Sequence, residues 1–219
     1  NIRRALKVPE GLAPGLPLDK LKAIASDHPE SFAAQMTLGE ALAESNPDAA
    51  LEAFERAAKL IPNVPGEDSP YAAIAAVATK KGDKALAARA LEQLTANTHT
   101  DVESARQLAG LLDPVKDAAR SRIALQRVIA IDPFDAQAHA TLGQLAMKAG
   151  DTAEAVRSFR VAVASKPLDR ASAHADLAEA LLAAGQKDEA RKQVMEALMV
   201  APTFTRAQDL LLKLSGGSR

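Results

Sequence analysis

The sequence predicts an all-α chain of antiparallel helix pairs, and three observations carry that prediction. Alanine fills about a fifth of the 219 residues while aromatic residues are 3%, a composition that suits closely packed helices and not pleated sheets. Turns of the form glycine-aspartate recur between alanine-rich stretches, at Gly82-Asp83 and Gly150-Asp151. Prolines close those stretches at a nearly constant interval: Pro29, Pro62, Pro133, Pro167 and Pro202 are spaced by 33, 71, 34 and 35 residues. The interval of 71 holds two units, with the missing mark at His99 and the surplus in the insertion NVPGED at 63–68.

Each element has a local reason. Residues 18–26, LDKLKAIAS, read as the second helix of a unit whose first helix is forbidden by Pro9, Gly11, Pro14, Gly15 and Pro17. Residues 1–17 are therefore expected to form an extended linker, with NIRRALK as the end of an upstream segment. In the first full unit Asn46 stands where glycine would, since asparagine tolerates the left-handed conformation second best, and Pro47 with Asp48 opens the next helix.

Gly82 and Gly150 end helices in the left-handed conformation, and Asp83 and Asp151 cap the helices that follow; Glu154, three residues after Asp151, completes the letters of a capping box. At 113–116, DPVK, a proline break replaces the glycine device. Near the end, Ala207, Leu210, Leu211 and Leu214 form one helical stripe, while Arg206, Gln208, Asp209 and Lys213 are expected on the solvent side, as in a helix that caps an array. Residues 215–219, SGGSR, are expected to be a mobile tail.

In the clearest unit, Ala136 to Asp169, Leu142 and Gly143 hold positions seven and eight, Ala155 position twenty, Phe159 twenty-four, Ala162 twenty-seven and Pro167 thirty-two. These letters, and the period near 34, resemble the tetratricopeptide repeat (TPR), a helix-turn-helix unit. The unit from Ala171 supplies Leu177, Ala178, Ala190, Val194, Ala197 and Pro202; earlier units supply Leu38, Gly39, Ala50, Phe54, Ala57 and Pro62, then Tyr71, Ile74, Ala75, Ala87 and Leu91. The unit from Val102 is the most degenerate, with Leu108, Ala109, Ser121, Leu125 and Val128. The resemblance implies a right-handed α-solenoid of about five units over residues 18–214, with a leading half unit and a C-terminal capping helix. Small residues mark the tight crossings, Gly143 against Ala155 and Ala178 against Ala190, with Leu142 and Phe159 expected to fill the space beside them.

Charge and chemistry narrow the function. Lys plus Arg number 27 against 28 Asp plus Glu, for a net charge of -1, so the concentrated basic field of a sequence-blind nucleic-acid binder is absent and no nucleic-acid partner is expected. With no cysteine there is no disulfide, thiolate chemistry or cysteine-ligated zinc, and the compartment stays open. The longest apolar run, YAAIAAVA at 71–78, is far short of the ~20 residues that cross a bilayer, so no membrane insertion is expected. The chain starts at Asn1 without the pattern of a signal peptide and reads as a processed product or a piece of a longer protein.

No Gly-rich phosphate loop, G-x-S-x-G or histidine beside a nucleophile is present. Neither catalysis nor a cofactor is expected. His139 and His174 share the fourth position of adjacent units and read as half-buried packing rather than a metal pair. Glu52, Glu55, Asp188 and Glu189 read as a solvated outer face, with Glu52 and Arg56 as helical neighbours.

What remains is the concave groove that the resemblance implies, lined by the first helix of each unit and receiving a peptide or a partner helix. Family positions two, five, nine and twelve fall on Ala33, Met36, Glu40 and Ala43, on Ser69, Ala72, Ala76 and Thr79, and on Glu103, Arg106, Gly110 and Asp113. In the last two units they fall on Gln137, Ala140, Gln144 and Met147, then on Ser172, Ala175, Glu179 and Leu182. Candidate contacts are Met36, Glu40, Ala72, Ala76, Arg106, Gln137, Ala140, Gln144, Met147 and Glu179, with Arg106 as the anchor. The lysine and asparagine set with which some members clamp a C-terminal carboxylate is missing. The chain therefore reads as a non-catalytic interaction module, with a protein or peptide partner. The alternative is a spacer or self-association domain, a homo-oligomer, attached to a larger and possibly enzymatic protein.

Overall fold

The computed structural model describes residues 2–13, 15–96 and 100–216; the unit boundary expected at His99 lies outside them. The helices are α1 (Ile2–Ala5), α2 (Leu18–Asp27), α3 (Phe32–Leu42), α4 (Pro47–Leu60), α5 (Pro70–Lys81), α6 (Lys84–Ala96) and α7 (Val102–Leu111). Beyond them run α8 (Ala118–Ile131), α9 (Ala136–Lys148), α10 (Thr152–Ala164), α11 (Arg170–Ala183), α12 (Lys187–Val200) and α13 (Thr205–Gly216). A 3-10 turn spans Gly66–Asp68, and no strand occurs among the described residues. Packing divides the chain into two compact units, the first ending at Leu111 and the second starting at Leu112. This division separates α7 from α8, the two helices of the repeat whose letters match the family least.

In the first unit α3 pairs with α4 and α5 with α6, while α2 lies on α3 and α7 on α6. The Gln35 side chain, only 2% exposed, ties three helices together: its Nε2 donates to the Ala25 carbonyl at 3.1 Å and its Oε1 accepts from Arg56 Nε at 3.0 Å. Arg56, read from sequence as a surface partner of Glu52, thus bonds inward to a buried amide, which would otherwise be left unsatisfied. The stretch expected as an extended linker is partly docked. Ala5 and Pro9 are buried, and the Ser31 hydroxyl donates to the Lys7 carbonyl at 3.0 Å while accepting the Ala34 N–H at the start of α3.

The second unit pairs α9 with α10 and α11 with α12, and α13 closes its end. Ala207, Leu210 and Leu214 of α13 are buried as the stripe predicts. Arg206 departs from its expected solvent side and turns onto α11, because two carboxylates wait there. The α13 helix takes in Ser215 and Gly216, so the expected tail starts later, and its remainder, 217–219, lies outside the described residues.

Both units share one interior device. A Cβ added to Gly39 would stand 2.5 Å from the Phe54 ring, and one added to Gly143 would stand 2.7 Å from the Phe159 ring. The atoms closest to that Gly143 position all belong to Phe159, so the ring itself occupies the tight crossing instead of filling space beside it. Where position eight is alanine, position twenty-four is a smaller aliphatic residue: Ala75 goes with Leu91 and Ala178 with Val194. Glycine is thus the counterpart of the aromatic ring, which uses the space a methyl group would fill.

The turns within pairs follow one pattern three times. Gly82, Gly150 and Gly185 are left-handed, with φ of 76°, 77° and 77°, and the next residue's N–H bonds back to the carbonyls of Ala78, Ala146 and Leu181. This is the Schellman closure of a helix end, and it corrects the capping-box reading. The Asp151 N–H is already bonded to Ala146, so the Glu154 carboxylate turns to Arg157 and Ser158 instead. Asn46 is also corrected: its φ of -148° is not left-handed, and its side chain caps α4 by accepting the Ala49 N–H. With Pro47 setting the first helical residue, α4 begins without a glycine turn.

Candidate functional site

Three helices of the first unit enclose a cleft of about 860 Å³. One wall is α5, through Ala72, Ala75, Ala76 and Thr79; the other is α7, through Glu103, Ser104, Gln107, Gly110 and Leu111. Leu91 and Leu94 of α6 form the floor, and Pro65, Gly66 and Glu67 close one end beside Thr100 and Asp101. The α5 wall presents only methyl groups and one hydroxyl, and the α7 wall includes Gly110, which has no side chain to fill the space. The Thr79 hydroxyl donates to the Ala75 carbonyl at 2.7 Å, and Asp101 caps α7 by accepting the Ser104 N–H at 3.0 Å. Glu67, Asp101 and Glu103 are the ionisable residues of the lining, and no lysine or arginine lines it.

The groove positions read from sequence separate into three groups. Ala72, Ala76, Thr79, Glu103 and Gly110 come together in this cleft. Met36 is 8% exposed and belongs to the core, whereas Glu40 is exposed on α3. Partial burial, and next the charge of Asp68, push the Glu40 carboxyl above the ordinary glutamate value. Arg106, expected as the anchor, is exposed on α7 but outside the lining. At 100° per residue the lining stripe of α7 centres near Gln107, and Arg106 sits about 100° round the helix from it.

In the second unit Gln137 and Gln144 are exposed and Ala140 is half-buried on α9, while Met147 packs with Leu182 against the core that contains the fully buried Ala175. Glu179 is engaged. Its Oε1 and Oε2 accept from Arg206 Nε and Nη2 at 2.9 and 2.7 Å, and the same Nη2 lies 2.6 Å from Asp176 Oδ1. The Arg206 guanidinium holds the Glu179 carboxyl below the usual range, while burial pushes Asp176 up against the pull of the same arginine.

Histidine chemistry does not converge anywhere. His139 meets the Pro133 carbonyl at 3.0 Å and His174 the Gln193 side-chain oxygen at 2.8 Å, and no cluster of metal-ligating side chains occurs among the described residues. Sequence reasoning missed Ser104, Gln107 and the floor leucines. Leu91 and Leu94, three residues apart on α6, reach the floor of the cleft while only 2% and 4% exposed, so their letters read as core.

Comparisons with known proteins agree with the helix-pair fold. Two models, each of the tetratricopeptide repeat, match residues 18–65 and 146–214, together more than half of the chain, with the cleft between them. A sequence search of curated proteins gives no match. Among solved structures, YrrB, described as a TPR protein with an unusual peptide-binding site, is 16% identical with a TM-score of 0.60 over 88% of this chain and 98% of its own. MamA is 22% identical, with a TM-score of 0.55 over 77% of this chain and 90% of its own. PilF of Pseudomonas aeruginosa is 17% identical, with a TM-score of 0.54 over 91% of this chain and 85% of its own. At such identities the likeness is one of fold. With the repeat matches, the paired helices and the glycine-phenylalanine crossings in agreement, the chain belongs to the tetratricopeptide-repeat family.

Proposed function

We propose that the chain is a non-catalytic interaction module whose first unit receives a peptide or partner helix between α5 and α7. The observation that carries this reading is the cleft itself: about 860 Å³, floored by leucines, walled by alanine and glycine, and rimmed by polar groups. A site with an apolar floor and a few converging polar groups is the usual form of a binding site, and tetratricopeptide repeats serve in general as protein-binding scaffolds. The similar structure YrrB is described as having a peptide-binding site, which supports the same class of partner here. A photo-crosslinker installed at Ala76 is expected to capture a partner from native extract, and the same group at Ala153, exposed on α10, is not. Equal capture at both positions, or none at Ala76, overturns the reading.

A second reading, self-association, is favoured by Met195, Met199 and Val200, which are 48%, 71% and 45% exposed on α12. Two methionines four residues apart form one exposed stripe. Light scattering over a concentration series tests it: a mass that rises with concentration and falls for Met199→Glu supports self-association, and a constant monomer mass removes it.

A further inference from the structure

We propose that the occupant of the α5–α7 cleft is a positively charged amphipathic helix; this deepens the reading of the cleft as the docking site and rests on it. Glu67, Asp101 and Glu103 line the cleft and no lysine or arginine does; Arg106, exposed on α7 three residues after Glu103, lies outside the lining. Asp68 follows Glu67 in the 3-10 turn, and Glu40 on α3 is near enough for its charge and that of Asp68 to oppose each other. Lys80 and Lys81, in the last turn of α5, are turned to Glu44 and Asp48. Among the described residues none of Glu40, Glu67, Asp68 and Glu103 has an ion-pair partner. Two carboxylates without ion-pair partners in the lining, with Asp68 next to Glu67 in sequence and Glu40 close to Asp68 outside it, attract a cationic ligand and repel an acidic tail.

The walls select a helix over an extended strand. From Ala72 to Thr79, and from Glu103 to Gly110, each wall runs for about 10 Å at 1.5 Å per residue. An extended chain needs partners for its backbone N–H and C=O groups. The α5 wall offers alanine methyl groups and one hydroxyl already donating to Ala75. A helix satisfies its backbone internally and needs only small side chains to come close, as in helix-in-groove recognition.

The test uses three labelled peptides of about 18 residues, long enough for a few helical turns, sharing one leucine-alanine stripe and carrying lysine, glutamine or glutamate on the other face. Fluorescence anisotropy with the full chain is expected to rank them lysine, glutamine, glutamate, with at least about tenfold between the first two and weaker lysine-peptide binding from ~50 to ~200 mM salt. The variant Glu67→Lys/Glu103→Lys is expected to reverse the order. Two blocking variants, Ala76→Trp and Gly110→Leu, are expected to abolish binding with helicity retained; Ala76 is exposed and a Cβ at Gly110 meets no atom within 4 Å.

If the lysine and glutamine peptides bind equally and both blocks abolish them, the cleft is the site and the charge inference is overturned. A salt-insensitive lysine peptide overturns it equally. If no peptide binds, or if both blocking variants bind as wild type does, the cleft reading falls and takes this inference with it.

Discussion

On α5 of the first unit the groove positions nine and twelve are Ala76 and Thr79, and position nine of α7 is Gly110; on α9 and α11 of the second unit the same positions are Gln144 and Met147, then Glu179 and Leu182. The first set leaves a cleft of about 860 Å³. In the second set Met147 and Leu182 pack on the core, and Arg206 reaches from α13 to hold Glu179. Both units nevertheless have the same interior, with Gly39 under Phe54 in one and Gly143 under Phe159 in the other. The lesson is that the buried positions of a repeat specify the helix pair, while a few side chains on its groove face decide whether the space beside that pair is open.

The largest effects test the shared interior. Gly39→Ala and Gly143→Ala each place a methyl group under 3 Å from a ring, and each is expected to destabilise by about 1–3 kcal/mol through overpacking. Adding Phe54→Leu or Phe159→Leu to the matching glycine variant is expected to recover part of the loss, because alanine already pairs with Leu91 and Val194 in the other units. Denaturant unfolding of the single and double variants measures the coupling. Additive losses would show that the ring does not explain the glycine.

Next is the arginine that closes the second unit. Arg206→Ala leaves Asp176 and Glu179 facing each other without a counterion, at an expected cost of about 1–2 kcal/mol given their partial exposure. The pH dependence separates the carboxylates. Glu179, whose folded pKa is lowered, contributes stability that is present above its unfolded value and is lost as pH falls through the folded one; Asp176, whose folded pKa is raised, opposes folding once charged and is relieved as pH falls. Melting curves are therefore expected to show Glu179→Gln costing more at neutral pH than at a pH below the ordinary glutamate value of 4.5. A pH-independent cost would mean that the Arg206 contact does not stabilise the fold.

A smaller effect comes from Ser121, which occupies the slot held by Ala50, Ala87, Ala155 and Ala190 elsewhere. Its hydroxyl is buried with no hydrogen-bond partner. Ser121→Ala is expected to raise stability by up to about 1 kcal/mol, and a loss on thermal melting would contradict that account.

The helix pairs were legible because their signals are local: a proline closes each unit, a glycine and an aspartate mark the turn, and alanine marks the crossing. Asn46 and Glu154 were misassigned because the choice among cap geometries depends on which N–H is already bonded, and in Asp151 it is. Five of the sixteen residues lining the candidate cleft were legible, since Ala72, Ala76, Thr79, Glu103 and Gly110 follow from the family positions. Arg106 lies outside the cleft lining because α7 presents its Gln107 side, and that rotation is set by packing on α6. The fate of Glu179 was hidden in Arg206, 27 residues away, a partner that helical periodicity alone assigns to solvent.

The smallest expected effect sharpens the comparison most. Gly110 is helical with nothing within 4 Å of its would-be Cβ, so Gly110→Ala removes the glycine entropy cost at no steric cost and is expected to stabilise by about 0.5–1 kcal/mol. Binding by the cleft should change little with this methyl group, whereas Thr79→Met, which copies Met147 at position twelve, combined with Gly110→Leu, which fills the opposite wall, should leave the melting temperature at or above wild type while abolishing crosslinking from Ala76. Loss of stability in the double variant would mean that the open face is required by the first unit's own packing. Retained stability with lost capture would mean that the space is kept open at the expense of helix propensity, which is what a site for a partner requires.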